Sequence, residues 1–406
     1  MSQLDAIRHA RELGFAVVAV DADPDAVGFA EADEAVAADF SDVEQVVQIA
    51  RRHNISGIVA VSTDRAVPVA AQVAEALGLP GIGVETARLM TDKGAMRARL
   101  AERGLPQPPF AVIGPDDDPA EALAAVGTPA VLKPVDSGGQ RGVFVIDGVP
   151  ALRERLPEAV AFSRSSRAIL ERFVAGSELN GIVITSHGES RVVTLSDRLR
   201  PDGPGFGVGW VHLFPSTLSD DVLERAAVLA EQAVDALGLE EGIGFPQLLV
   251  ASGEVFVVEV AARIPAGQMA DLVKFGVGID LVEIALRQAV GERITEEQRT
   301  PKFIQPLAIR FMTASPGPLP VGRIRSIEGL DAVRSSPGVV KADVYMKAGE
   351  TINPVQVDAD RRGFVIATAD DSSTALDLAD QALAMLEVEV TDGKRNEPTP
   401  SSLQSS

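Results

Sequence analysis

Over residues 1–95, short apolar runs alternate with helical segments, and this alternation restricts the fold more than any other feature. Ala6–Leu13 carries helical apolar spacing, and Gly14 stops it. Phe15-Ala16-Val17-Val18-Ala19-Val20 reads as a buried strand closed by Asp21, Asp23 and Pro24. A helix over Val43–His53, a strand over Gly57–Val61 and a helix over about Val67–Leu77, ended by Gly78, complete the pattern. Strands separated by helices form a parallel sheet with helices on its faces. Such a sheet normally begins with a strand and a glycine-rich turn, yet this chain opens on the helix. Either the sheet lacks its first strand or that strand lies upstream.

From Lys93 to about Arg299 the pattern becomes mixed. Ala130-Val131-Leu132 and Gly142–Ile146 are strands flanking a glycine-rich turn, and Ala168–Val174, Gly181–Thr185 and Arg191–Leu195 are further strands of an antiparallel sheet. Ser219–Leu237 reads as a helix with Ser219 as N-cap and Gly238 as its stop. Residues 305–388 form a strand-rich unit with one late helix at about Ser373–Leu386. Thr391–Ser406 is aperiodic and polar and is expected to be a disordered tail. The expected fold is α/β and α+β multidomain: a parallel α/β domain over 1–92, a central domain over 93–304, an α+β domain over 305–390 and the tail over 391–406.

Composition removes whole classes of function. With 58 acids against 37 bases the formal charge is −21, and such a surface repels nucleic-acid phosphates and anionic lipid headgroups. The chain has no cysteine, which excludes disulfides, thiolate zinc sites and thiol nucleophiles. Its four histidines, His9, His53, His187 and His212, are never at a short metal-ligand spacing from one another. The longest apolar runs are about six to eight residues, too short to span a bilayer. No secretory signal opens the chain. The expectation is a soluble cytoplasmic protein without nucleic-acid or membrane partners.

No Gly-x-Ser-x-Gly elbow and no Walker-type loop occurs. Gly203-Pro204-Gly205-Phe206-Gly207-Val208-Gly209 has the wrong spacing for a dinucleotide fingerprint, and Pro204 blocks the turn. Serine hydrolysis and NAD binding are therefore set aside.

Three segments carry chemistry. In Leu132-Lys133-Pro134-Val135-Asp136-Ser137-Gly138-Gly139-Gln140-Arg141-Gly142-Val143, a lysine leaves a buried strand beside glycines whose backbone N–H groups can approach an anion. Alone, this also fits a plain hairpin with a surface lysine. In Ile169-Leu170-Glu171-Arg172-Phe173-Val174-Ala175-Gly176-Ser177-Glu178, an apolar strand with carboxylates offers a purine slot and a ribose partner, or is simply a strand. The third segment, Gly242-Ile243-Gly244-Phe245-Pro246-Gln247-Leu248-Leu249-Val250 followed by Ala251–Arg263, reads as a hairpin. If its loop is Ser252-Gly253-Glu254, Gln247 faces Glu259 with side-chain roots about 5 Å apart. Ala261 and Arg263 then share that face. A two-residue loop would break the register. A carboxylate with an oxygen-bearing partner suits Mg²⁺, while a glutamate facing an arginine also suits a structural ion pair.

Taken in this order, with Thr91-Asp92-Lys93 ahead of them, the segments resemble the ATP-grasp superfamily from about Gln3 to Val390. The resemblance implies an ATP-grasp fold with an N-terminal pre-ATP-grasp domain and a nucleotide-binding subdomain at about 128–200. It implies ATP held between two mixed α/β subdomains, with Lys93 and Lys133 on its phosphates. The turn from Ser137 through Gly138 and Gly139 to Gly142 would be the mobile flap. Glu171, Phe173 and Val174 would hold the adenine edge and Glu178 the ribose. Glu259 would be the main Mg²⁺ ligand and Gln247 the second. Arg263 would stabilise the transferring phosphoryl group or acyl phosphate, so Arg263 and Lys133 are the catalytic candidates.

Within the superfamily the chain looks similar to carboxylate–amine ligases of the L-amino-acid ligase type. The features are Glu259-Val260-Ala261-Ala262-Arg263-Ile264-Pro265, Ala308-Ile309-Arg310-Phe311, Ser336-Pro337-Gly338-Val339 and Lys347-Ala348-Gly349-Glu350. Similar proteins join small-molecule carboxylate and amine substrates and are commonly homodimers. ATP would turn the carboxylate into an acyl phosphate that an amine attacks; the transfer needs charge neutralisation more than covalent help. Arg198, ahead of the Gly/Pro-rich stretch 201–209, is a candidate for a substrate carboxylate, as is Arg263. Two departures stand out. Gln247 occupies a position where the family usually has an acid, and Ala261 replaces a common asparagine. An uncharged glutamine oxygen weakens metal affinity. The rival readings are a carboxylase of the purine-biosynthesis type and a nucleotide-binding module without turnover.

Overall fold

The computed structural model describes residues 2–200 and 207–391. It divides into two compact units: residues 1–195 with 218–304, and residues 196–217 with 305–406. The stretch at 201–206 and the expected tail beyond Thr391 lie outside the described residues.

In the first unit, helix Ser2–Glu12 leads to strand Val18–Asp21, which pairs in parallel with Glu34–Ala37. Helix Val43–His53 begins at Asp42, whose carboxylate accepts the N–H of Gln45, and ends on Asn54 in the left-handed region. Helix Ala66–Leu77 ends likewise on Gly78, with φ of 66°.

The expected strand Gly57–Val61 does not form. Only Val61 bridges, in parallel, to Ile264, and Ser62 donates its N–H to the Ile264 carbonyl at 3.0 Å. Among the described residues, Val18–Asp21 pairs with Glu34–Ala37 alone, and Gly57–Val61 makes no ladder with it. Helix Leu281–Ala289 meets the segment instead: a Cβ on Gly57 would lie 2.4 Å from the Ala289 carbonyl oxygen. Apolar content makes a strand possible, but a hydrogen-bonded partner makes it one.

Two further sheets build this unit. Strands Phe110–Ile113, Ala168–Arg172, Ala130–Pro134 and Phe144–Ile146 lie side by side in that order, all antiparallel. Strand Gly242–Ala251 pairs with Glu254–Ala262 on one side and with Ser177–Ser186 on the other. Helix Asp220–Ala236 covers the hairpin, burying Ala226, Leu229, Ala230, Ala233 and Val234 with Leu248, Val257 and Val260. Each Leu or Val so buried contributes about 1.5–3 kcal/mol. Gly244 lets helix and sheet approach, since a Cβ there would stand 2.8 Å from Val234.

In the second unit, Val211–Phe214, Leu307–Phe311, Gly363–Thr368 and Val339–Val344 are neighbours in an antiparallel sheet, and Asp197–Leu199 pairs along Val211–Leu213. Helix Ser372–Leu383 packs on it, and Gly322–Glu328 pairs with Glu387–Thr391. Thr391, read as the first residue of the tail, therefore closes a strand. No helix among the described residues is long and apolar enough to cross a membrane.

Candidate functional site

The site grows from a helix whose buried stripe is wrong for an ordinary amphipathic helix. Lys93–Glu102 starts at Asp92, whose carboxylate accepts the Ala95 N–H at 2.8 Å. Its buried residues are Lys93, Met96, Arg97 and Leu100. Two cations in a stripe that should be apolar must meet buried acids. Lys93 also sits in the first turn, where the helix dipole disfavours positive charge. It donates to the Ser137 carbonyl at 2.9 Å and pairs with Glu259 at 3.0 Å. Burial alone would lower its pKa, but Glu259, Asp64 and Glu171 outweigh that and hold it above the usual lysine range.

One turn on, Arg97 reaches the other sheet. It is 1% exposed, donates from Nε to Glu171 Oε1 at 2.8 Å, and donates from Nη1 to the Val257 carbonyl at 2.5 Å. The strand register explains the second partner of Glu171. Lys133 lies opposite Ile169 and Val131 opposite Glu171, so Lys133 and Glu171 are diagonal neighbours on one face. Lys133 Nζ meets Glu171 Oε2 at 2.7 Å. Burial would raise the Glu171 pKa, but Arg97 and Lys133 pull it down to about 2.

Arg263 follows strand Glu254–Ala262. Its Nε and Nη2 donate to the two oxygens of Asp64 at 2.6 and 3.1 Å, a bidentate pair. Asp64 stays below the usual carboxylate range: burial would raise it, and Arg263 and then Lys93 outweigh burial. Thus Lys93, Lys133 and Arg263, the three cations that the family resemblance would set on phosphate, are each held by a carboxylate. Positive charge is stored in pairs that an incoming anion can rearrange.

The hairpin reaches the expected pairing by an unexpected route. Its loop has two residues, Ser252 and Gly253, with φ of 51° and 81°, and Ala251 pairs with Glu254. A bulge between Gln247 and Leu248 then absorbs Val258 and restores Gln247 opposite Glu259. One carboxylate and one amide oxygen facing across a ribbon fit Mg²⁺, which takes its remaining ligands from water and phosphate. Among the described residues, no three His, Cys, Asp or Glu side chains gather to hold a metal by themselves.

The glycine-rich turn connects Ala130–Pro134 to Phe144–Ile146. Gly139, Gln140 and Gly142 adopt φ of 71°, 65° and 69°, and a Cβ on Gly138 would lie 2.8 Å from Asp64 Oδ2. Phe173 and Val174 follow strand Ala168–Arg172 and are half-buried. The Phe173 N–H is spent on the Pro129 carbonyl at 2.9 Å. Glu178 pairs in register with Leu249. Arg198 belongs to the second unit, where its guanidinium donates to the Gly207 carbonyl.

Sequence reasoning missed Arg97 and Asp64. The spacing of Lys93, Met96, Arg97 and Leu100 was a readable sign of the first, because a buried stripe holding two cations requires an acid. Asp64 carried no local sign.

Three family models match consecutive parts of the chain: an ATP-grasp N-terminal domain over 7–81, an ATP-grasp domain over 98–268, and the L-amino acid ligase C-terminal domain 2 over 318–391. A D-alanine–D-alanine ligase from Desulforudis audaxviator is 33% identical over 199 residues, covering 46% of this chain and 63% of the relative. The alanine–anticapsin ligase of Bacillus subtilis is 27% identical over 291 residues, covering 65% of this chain and 60% of the relative. The chain thus spans less than two thirds of the length of either. The L-amino acid ligase structure from Bacillus licheniformis superposes with a TM-score of 0.80 at 22% identity, covering 96% of each chain, which establishes the same fold.

Proposed function

The chain belongs to the ATP-grasp superfamily, and from that premise we propose that it is a carboxylate–amine ligase. It would use ATP to convert a small carboxylate, an amino acid or related acid, into an acyl phosphate that an amine attacks, releasing ADP and phosphate. The observation that supports this most is the set of three pairs, Lys93 with Glu259, Lys133 with Glu171 and Arg263 with Asp64. A carboxylate is a poor acyl donor, and moving a phosphoryl group onto it calls for positioning and charge neutralisation.

In this reading Lys93 and Lys133 orient the phosphates, and Arg263 offsets charge on the reacting group. The turn from Ser137 to Gly142 shields the acyl phosphate from water. Glu171, Phe173 and Val174 carry the adenine edge and Glu178 the ribose, with the Glu171 carboxylate also holding Lys133 and Arg97. Gln247 and Glu259 would hold Mg²⁺, which supplies further charge neutralisation when bound. Arg198 takes a substrate carboxylate, and the working assembly is a homodimer.

Amino-acid pairs screened for ADP release, with mass detection of the product, test the proposal. Dependence on an amino acid supports ligation, and dependence on bicarbonate would replace it with carboxylation. The uncharged Gln247 favours a second reading, a nucleotide-binding module, which ATP binding without turnover would establish. Glu259→Ala should cut turnover by about 10³-fold or more while the variant keeps a cooperative melt. Survival of activity would overturn the metal assignment.

A further inference from the structure

We propose that Asp64 is a positioning residue that sets Arg263 and the glycine-rich turn in a single geometry, so that turn closure and presentation of Arg263 are one event. The inference rests on the ligase reading of the same site. Asp64 receives Nε and Nη2 of Arg263 on its two oxygens, at 2.6 and 3.1 Å. That leaves the Nη1 donors, whose contact to the Ile264 carbonyl is a long 3.5 Å, as the edge free for a reacting anion. The oxygen that takes Nη2 is also the atom a Cβ on Gly138 would meet at 2.8 Å. A side chain at 138 would therefore force the Asp64 carboxylate to shift, and the glycine lets the turn close onto the pair undisturbed. The neighbouring Ser137 carbonyl is held by Lys93.

The backbone fixes the spacing of the pair. Val61 bridges to Ile264, the residue after Arg263, and Ser62 donates to the Ile264 carbonyl at 3.0 Å. The failed strand at Gly57–Val61 thereby gains a purpose: it delivers Asp64 beside Arg263 from 199 positions away. Asp64 is ionised throughout the working pH range, since Arg263 and Lys93 outweigh the burial that would raise its pKa.

The full chain is assayed for amino-acid-dependent ADP release as wild type and as Asp64→Asn, Asp64→Glu and Gly138→Ala. Asp64→Asn is expected to lower kcat by about 10- to 100-fold, with KM for ATP changed by less than about threefold. Asp64→Glu keeps the charge but moves the carboxylate by one methylene group, so kcat stays reduced by at least about fivefold; full rescue would mean that charge alone matters and would overturn positioning. Gly138→Ala approaches the same carboxylate from the other side and should show the same split, which keeps the proposal testable if an Asp64 variant does not fold. Hydrogen exchange over 137–142, with and without a non-hydrolysable ATP analogue, supplies a readout independent of turnover. The analogue should protect the turn in wild type, and Asp64→Asn should lose that gain. An unchanged kcat or an unchanged gain in protection in Asp64→Asn would overturn the proposal. A wild type without amino-acid-dependent turnover defeats the ligase reading, and the exchange measurement then decides the role of Asp64 on its own.

Discussion

The two units bury cationic side chains in opposite ways. In the first, Glu171 is 5% exposed and serves both Arg97 and Lys133, while Lys93 is influenced by Glu259, Asp64 and Glu171 together. In the second, two arginines, Arg361 and Arg310, each lean on an aromatic ring and a partly exposed acid. Arg361 stacks over Phe311 at 4.2 Å and pairs with Asp358, whose side chain is 34% exposed. Arg310 stacks over Trp210 at 4.6 Å and pairs with Asp380, 44% exposed. Rings and partly exposed acids make local pairs, one acid to one arginine. Buried shared acids make a network in which removing one member strands several charges. On the proposed ligase reading, it is this network that would exchange its acids for phosphate.

The largest effect should come from Glu171→Ala. It leaves Arg97 and Lys133 in a dry interior without their carboxylate, at a cost of about 3–5 kcal/mol. Asp380→Ala in the second unit removes a half-exposed acid from Arg310, which keeps its ring and the Phe311 carbonyl, and should cost about 1 kcal/mol or less. Urea denaturation of both variants checks the contrast, and equal losses would remove the distinction between network and local pairs.

That contrast also marks how far the sequence could be read. The lysine ahead of the turn, the glutamate strand and the hairpin were legible because each is a local pattern with a chemical reason. The partners were not. Arg263 finds Asp64 across 199 positions and Arg97 finds Glu171 across 74, distances over which periodicity carries no information. Gly57–Val61 has a strand's composition but no ladder beside it, because pairing belongs to the neighbour as much as to the segment. The register of Gln247 with Glu259 was reached from a wrong loop length, because the bulge at Val258 compensates for a two-residue turn. A bulge of that kind leaves no compositional trace.

Acid should separate the units at two different pH values. His212 is buried, and burial first, then Arg361 and Arg198, hold its pKa well below 6.5. Below pH 6.5 the unfolded chain binds a proton there that the folded chain refuses, so stability falls as pH drops from that point. Glu171 behaves differently. Its pKa is lowered from 4.5 to about 2, so its contribution, on the order of 3 kcal/mol, is intact above pH 4.5 and disappears only as pH falls toward 2. Hydrogen exchange followed from pH 7 to 3 should therefore loosen Val211–Phe214 and Leu307–Phe311 before it loosens Ala130–Pro134 and Ala168–Arg172. His212→Gln should remove the milder transition and leave the deeper one. Simultaneous loosening in the wild type would mean that the units do not melt separately.

The smallest effect isolates the ring contact. Arg310→Lys keeps a positive charge near Asp380 but loses the planar stack on Trp210 and the Nη1 bond to the Phe311 carbonyl. The stack is worth about 0.5–1 kcal/mol at a partly exposed ring, so the unfolding midpoint should move only slightly. Trp210 is the single tryptophan of the chain, and its indole N–H donates to Thr313, which makes its emission a local reporter of this contact. The emission should change in Arg310→Lys and stay as in wild type in Glu171→Gln, whose effect is confined to the network. If both variants changed it alike, the ring-backed pairs would be coupled to the buried acids, and the two modes of burying charge would be one.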